Sequence, residues 1–336
     1  MNAKAILKSV VNIFLLLLLF FAACMGFIYY GTSMPGASYQ GEARQFDQEM
    51  LDSRANLERH VFELASTIGE RNYQRPQALE QAASYIESQF NEIGFNPVLE
   101  VFGDQSYKNV IVNHYGNARR DEILVVGAHY DTVWLSPGAD DNASGVAVLL
   151  EVARRLNGDR QSRTIRFVAF TNEEWPFFGR KNMGSLVNAE NSSKRNENII
   201  GMISLEMLGY YSSEPGSQRY PRPLNYFYPD KGNFVAFVSN FSSRDFLHRS
   251  ITAFRESAEF PSEGLVAPQF LVPDIRRSDN YPFWREGYPA LMVTNTANYR
   301  NRRYHRSTDT HDVLDYDSMV RVTDGLAAAI IKLANE

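Results

Sequence analysis

The sequence predicts an α/β fold with a mostly parallel central sheet flanked by helices, and three observations carry that prediction. Short apolar, β-branched runs recur at 123–128, 164–170, 201–205 and 289–293, with the length and composition of buried strands. Helical patterns alternate with them at 77–93, 143–156, 241–257 and 317–334, the order of βαβ units. No composition break interrupts residues 42–336, so the 336-residue chain reads as one large domain with a sizeable core.

The first element is of another kind. Lys4 and Lys8 precede an almost uninterrupted apolar run at 10–30. That is about the 20 residues a helix needs to cross a bilayer, and the leading positive charge sets the remainder outside the cytoplasm. The expected organisation is a cytoplasmic stub at 1–9, a transmembrane helix at 10–30, a small and polar linker at 31–41, and the domain at 42–336. Cys24 is the only cysteine. The run Phe21-Ala22-Ala23-Cys24 approaches a lipoprotein cleavage box, but Phe suits its first position poorly and the chain stays apolar to Tyr30, so a thiol inside the span is the better reading. A domain without cysteine has no disulfides or thiolates, and any metal ligands in it are His, Asp or Glu.

Within the domain, residues 42–64 have helical spacing. In 77–93, Leu79, Ala82, Ala83, Ile86, Phe90 and Ile93 share one face and Gly94 stops the helix. Residues 98–102 and 109–112 read as strands. The strand at 123–128, the helix at 143–156 and the strand at 164–170 make one βαβ unit. Two stretches, 210–232 and 260–289, are rich in Gly, Pro, Ser and Tyr and read as long loops. Their aromatics (Tyr220, Tyr226, Phe227, Tyr228, Phe270, Tyr281, Phe283, Trp284) are expected to wall a substrate pocket, with surface packing as the competing reading. A formal charge of −5 with no basic stripe argues against nucleic acid.

The chemistry lies just beyond the strands. His129-Tyr130-Asp131 follows the first run, Glu173-Glu174 the second and Glu206 the third, and His305 lies beyond the fourth. In open α/β sheets ligands bind at the carboxyl ends of the strands, so imidazoles and carboxylates converge on one sheet edge, as a metallohydrolase requires. His129 suits a metal, with Asp131 accepting its other ring N–H. At 138–145, Asp140 and Asp141 lie among small residues at a helix start, where a carboxylate can bridge two divalent ions; a helix cap accounts for only one of them. Glu173 and Glu174 leave a strand pointing opposite ways, so one can bind metal while the other acts as general base.

These motifs, with Asn172, Ser278-Asp279, Gly287-Tyr288-Pro289-Ala290 and the Thr308-Asp309-Thr310 that follows His305, resemble the M28 family of zinc peptidases, in order from about residue 109 to 330. The resemblance implies a phosphorylase/hydrolase-like fold holding two Zn2+ ions. His129 and Glu206 would hold one zinc, Glu174 and His305 the other, and Asp141 would bridge them. Glu173 would be the general base, with Asp131 behind His129. Two departures stand out: many members carry Asp in place of Glu206, and many carry Ser-Asp-His in place of Ser278-Asp279-Asn280. Asp279 is left either orienting a ligand or capping a turn. Tyr210 and Tyr211, just past Glu206, are positions for an oxyanion or substrate contact. His311 competes with His305 as a ligand, while His60 and His248 are expected on exposed helix faces.

The expected function is a membrane-anchored, extracytoplasmic two-zinc exopeptidase, an aminopeptidase acting on peptides. The alternatives are a single-zinc acyltransferase similar to glutaminyl cyclases, or a receptor or scaffold that kept the fold without the chemistry.

Overall fold

The computed structural model describes residues 3–158 and 160–336. Its centre is one eight-stranded sheet: β1 (Val98–Phe102), β2 (Tyr107–His114), β3 (Arg119–His129), β4 (Arg163–Phe170), β5 (Asn198–Glu206), β6 (Val235–Ser239), β7 (Ser262–Val266) and β8 (Ala290–Thr294), in the order β1-β2-β4-β3-β5-β8-β6-β7. The middle strands β4, β3, β5 and β8 are mutually parallel, as the apolar runs predict. Antiparallel pairing joins β2 to β4 and β6 to β8, and β6 and β7 run parallel to each other. The sheet is thus parallel at its core and mixed toward both edges.

Helices cover both faces. Besides α1 (Ala3–Thr32), they are α2 (Gln48–Phe62), α3 (Pro76–Ile93), α4 (Gly145–Leu156), α5 (Gly184–Lys194), α6 (Arg244–Ser257), α7 (Asn280–Arg285) and α8 (Tyr316–Asn335). Side chains alternate across β3: Leu124, Val126 and Ala128 join the large core under α2, α3, α4, α6 and α8, while Ile123 and Val125 join the smaller core with Ala189 of α5 and Phe283 of α7. Local signals set the helix ends. Asp47 accepts the Met50 amide at 2.9 Å to start α2, and Pro76 opens α3. Gly94, at φ +103, ends α3 where a Cβ would be strained.

Three expectations change. The stretch 260–289 is not one loop, since it holds β7 and α7; Ser-Glu-Gly opens that strand and hides its apolar content. Phe283, expected in a pocket wall, is fully buried in the core, and Phe270 is exposed. His60 is buried rather than exposed: its Nδ1 lies 2.7 Å from the Tyr85 hydroxyl, and burial beside Arg59 lowers its pKa to about 3. Along α1, Leu7–Thr32 is long and apolar enough to cross a membrane. The end of α1 meets the domain where Phe27 packs edge-on to Phe241 and Arg244 lies over the Tyr30 ring at 4.1 Å.

Candidate metal centre

Each strand end delivers what the sequence places there. His129 is the last residue of β3, Glu206 the last of β5, and Glu173 and Glu174 lie just past β4. Asp141 comes from the tight turn Ala139–Ser144 that leads into α4, and His305 from the segment after β8, at φ +58. The turn begins at Gly138, at φ +60, where a Cβ would meet the Asp141 carbonyl oxygen at 2.3 Å.

Asp141 sits between the two histidines. Its Oδ1 is 3.4 Å from His129 Nε2 and its Oδ2 is 3.2 Å from His305 Nε2. His129 Nε2 is also 3.4 Å from Glu206 Oε2, and His305 Nε2 is 3.3 Å from Glu174 Oε1. Two ligand sets result, His129–Asp141–Glu206 and Asp141–Glu174–His305, each with its ligand atoms within 4.8 Å of one another. His129 Nε2 and Asp141 Oδ2 are buried without a hydrogen-bond partner, a costly arrangement unless a cation completes it. Three carboxylates and two imidazoles of this kind suit zinc. His311 lies outside both sets: its Nδ1 is 3.0 Å from Ser66 Oγ, and its ring packs on Phe62.

The electrostatics show the same need for positive charge. Burial works against a charged His129 ring, but Glu206, Asp131 and Asp141 outweigh it and raise the pKa well above its usual value. At His305, burial is outweighed by Asp141 and Glu174, and the value rises to about 10. Burial, then the Asp141 charge, pushes Glu174 up to about 7 against the pull of His305. Glu173 is also raised well above the usual carboxylate range, by burial first and by Glu174, Glu206 and Asp279 next, although His129 opposes them. Asp279 is buried and raised to about 7 by burial, then by Glu206 and Asp131.

The surrounding shell differs in part from the sequence reading. His129 Nδ1 is closer to the Asp131 carbonyl oxygen, at 3.2 Å, than to its carboxylate, at 3.5 Å. That carboxylate accepts the backbone amides of Glu173 and Glu174 at 3.0 and 3.1 Å. The adjacent acids Asp140 and Asp141 divide their work. Asp140 accepts from the Gly209 amide at 2.8 Å and from the side-chain amides of Asn295 and Asn301. Asp309 takes the amides of Asp140 and Asp141, both at 3.1 Å. Ser278 Oγ donates to Glu206 Oε2 at 2.7 Å.

Arg71, which no motif marks, is fully buried and donates to the carbonyls of Leu64, Gly69, Tyr130, Pro137 and Gly138. It staples the His129 strand end to the Asp141 turn. Burial lowers its pKa to about 10 against the pull of Asp131, Asp309 and Asp141. Of the tyrosines, Tyr211 is buried against Phe260 and Tyr210 faces Arg303. The phenol beside the ligands is Tyr304, stacked on the His305 ring at 3.7 Å, with its hydroxyl accepting from Arg277 at 3.2 Å.

A cavity of about 120 Å³ opens beside Glu206 and Tyr304, with Tyr220, Tyr228, Phe234 and Met292 among its walls. Tyr220 and Tyr228 of the expected pocket aromatics do line it.

Comparison with known proteins identifies the family. The model of peptidase family M28 matches residues 109–330, the stretch that holds every residue of both ligand sets. A protein of Escherichia coli (strain K12) named "Uncharacterized protein YfbL" is 37% identical over 286 residues, covering 82% of this chain and 86% of the relative. Aminopeptidase YwaD of Bacillus subtilis (strain 168) is 37% identical over 128 residues, covering 38% of this chain and 27% of the relative. The solved structure of BSAP, a zinc aminopeptidase from Bacillus subtilis, shares the fold with a TM-score of 0.66 at 15% identity, covering 87% of this chain and 97% of that one. With the family model matched across that stretch and a relative aligned along most of its length, this chain belongs to peptidase family M28.

Proposed function

We propose that the protein is a membrane-anchored, extracytoplasmic aminopeptidase that uses two zinc ions. The observation that carries the reading is Asp141, which turns one carboxylate oxygen toward each of two histidines, each already beside its own glutamate. A single-zinc site of the glutaminyl-cyclase kind has no use for the second set, and a scaffold has no use for three crowded buried carboxylates that repel one another without a cation. His129, Glu206 and Asp141 would hold one zinc, and Asp141, Glu174 and His305 the other. Bound zinc supplies Lewis acidity toward the scissile carbonyl and makes water acidic enough to attack near neutral pH.

The protein's own groups do the rest. Glu173, held through its backbone by Asp131, takes the proton from the attacking water and returns it to the leaving amine. Tyr304, beside His305 and steadied by Arg277, is placed to donate its hydroxyl proton toward a developing oxyanion. Ser278 holds Glu206 and Asp131 sets the entry of Glu174, so both glutamates are oriented before substrate arrives. Asp279 lies among the charges of Glu206, Asp131 and His129. The name of the B. subtilis relative supports aminopeptidase action among the peptidases of the family.

For the anchor, the reading rests on the apolar span Leu7–Thr32, with Lys4 before it and Lys8 at its start, which sets residues 42–336 outside the cytoplasm. The test is elemental analysis of the purified full chain together with hydrolysis of aminoacyl amides. Two zinc per chain with release of the N-terminal residue supports the proposal. One zinc with cyclisation of glutaminyl peptides moves the reading to the acyltransferase, and a folded chain that holds no zinc overturns it.

A further inference from the structure

Four strands place one residue each in a single row across the sheet. Glu206 of β5 pairs with Thr294 of β8, Thr294 with Ala236 of β6, and Ala236 with Glu263 of β7. Residues paired across strands share a face, and all four line the cavity beside Tyr304. A second row on the same face, Met292, Val238 and Leu265, makes the floor apolar. One end of the cavity is therefore a proposed zinc ligand, the middle is apolar, and the far end is a carboxylate.

Glu263 stands apart from the other charges there. Asp274 is occupied by Arg277 and by the Tyr299 hydroxyl. Arg277 also bonds Tyr304, and Arg219 turns toward the Asn298 carbonyl. Arg255, whose charge favours ionised Glu263, directs its donors to Ser262, Pro35 and Gly36. Among the described residues the Glu263 carboxylate has no hydrogen bond or ion pair. Burial raises its pKa, which marks a carboxylate short of a counter-ion.

The row also sets a length. Three strand spacings separate the Glu206 and Glu263 backbones by about 14 Å. That distance is too great for Glu263 to hold the α-ammonium of a residue whose carbonyl lies at the metal centre. An extended arginine or lysine side chain reaches about 6–7 Å, and with the reach of Glu263 itself it fills the span, while leucine stops halfway.

We propose that this row selects peptides whose N-terminal residue is arginine or lysine, with the apolar floor packing the methylene stem and Glu263 receiving the cationic end. The inference rests on the aminopeptidase reading for its activity arm but not for its binding arm. Calorimetry on the zinc-loaded full chain with free L-arginine, L-lysine, L-norleucine and L-leucine, none of them hydrolysable, reads the pocket alone. Arginine and lysine are expected to bind about 10-fold or more tighter than norleucine, the scale of one charge-assisted hydrogen bond. Glu263→Gln is expected to remove that difference and leave norleucine binding unchanged.

In the second arm, kcat/KM for arginyl and lysyl amides is expected to exceed that for the norleucyl amide by a similar factor, again only with Glu263 intact. Norleucine or leucine binding as tightly as arginine, or a Glu263→Gln chain that keeps the preference, overturns the proposal. Selective binding of the basic amino acids without amide cleavage supports the pocket and overturns the aminopeptidase reading instead. Should Glu263→Gln fail to fold, Glu263→Asp, which shortens the reach, is expected to weaken arginine and lysine binding and leave norleucine binding unchanged, and arginine binding equal to that of the parent chain overturns the proposal.

Discussion

Asp131 accepts the backbone amide of Glu173 at 3.0 Å. The acid two residues past His129 thus sets the position of the proposed base on the neighbouring strand, and its other oxygen does the same for Glu174. Asp131→Asn keeps the shape but turns one acceptor into a donor that cannot take an amide N–H. A fall in kcat of about 10–100-fold is expected, with KM little altered. An unchanged kcat at normal zinc content means that Glu173 is held by something else.

Glu173→Gln removes the proton acceptor and leaves the volume. The expected loss in kcat is about 10²–10⁴-fold, with zinc per chain unchanged by elemental analysis. Loss of zinc along with activity would make Glu173 a ligand and reassign the base.

Asp141→Asn leaves one carboxamide where two oxygens face two histidines. Zinc per chain is expected to fall, and the rise in melting temperature on adding zinc to a chelator-treated sample should shrink. In the parent chain that rise reflects about 2.7 kcal/mol at a zinc concentration 100 times Kd. A variant that still gains the full rise contradicts the bridging position.

Arg71→Met deletes a guanidinium that serves five carbonyls. Stranding them in the interior is expected to cost at least about 3 kcal/mol, a fall in melting temperature of about 6–12 °C. Differential scanning calorimetry at fixed zinc reads it directly, and a shift under 2 °C, roughly the effect of an ordinary surface change, refutes the stapling role.

His60 gives the fold an acid sensitivity of its own. Its pKa is about 3 in the folded chain against 6.5 unfolded. Below pH 6.5 the unfolded chain takes up a proton that the folded chain refuses. Stability that is full above pH 6.5 is therefore lost as pH falls toward 3, by about 1.4 kcal/mol per unit. Urea titrations at pH 7 and pH 5 should show the parent losing about 2 kcal/mol more than His60→Gln over that interval. Equal losses remove His60 as the source.

What the sequence made legible follows from how each feature is encoded. The parallel centre of the sheet was readable because buried strands need continuous apolar runs, as at 123–128 and 164–170. The ligand-type residues were readable because they stand where such runs stop. β7 was not, because Ser262, Glu263 and Gly264 break the apolar signal on a strand whose exposed face lines a cavity. Arg71 was invisible because its partners are backbone carbonyls, which any sequence supplies. Tyr304, rather than Tyr210 or Tyr211, stands beside the ligands because nearness along the chain to Glu206 says little about nearness in space. The burial of His60 has no local signal because its partner, Tyr85, lies on another helix.

Asp309 clamps the Asp140–Asp141 turn from 168 and 169 residues further along the chain, and Asn301 and Asn295 hold Asp140 from nearly as far. Contacts of such sequence separation form late in folding. A chain still emerging from synthesis has His129, Asp141, Glu173, Glu174 and Glu206 in hand long before the segment that fixes their turn and supplies His305. The hydrolytic centre is thus timed as well as built, incomplete until the segment that carries His305 and Asp309 has followed the strands it serves.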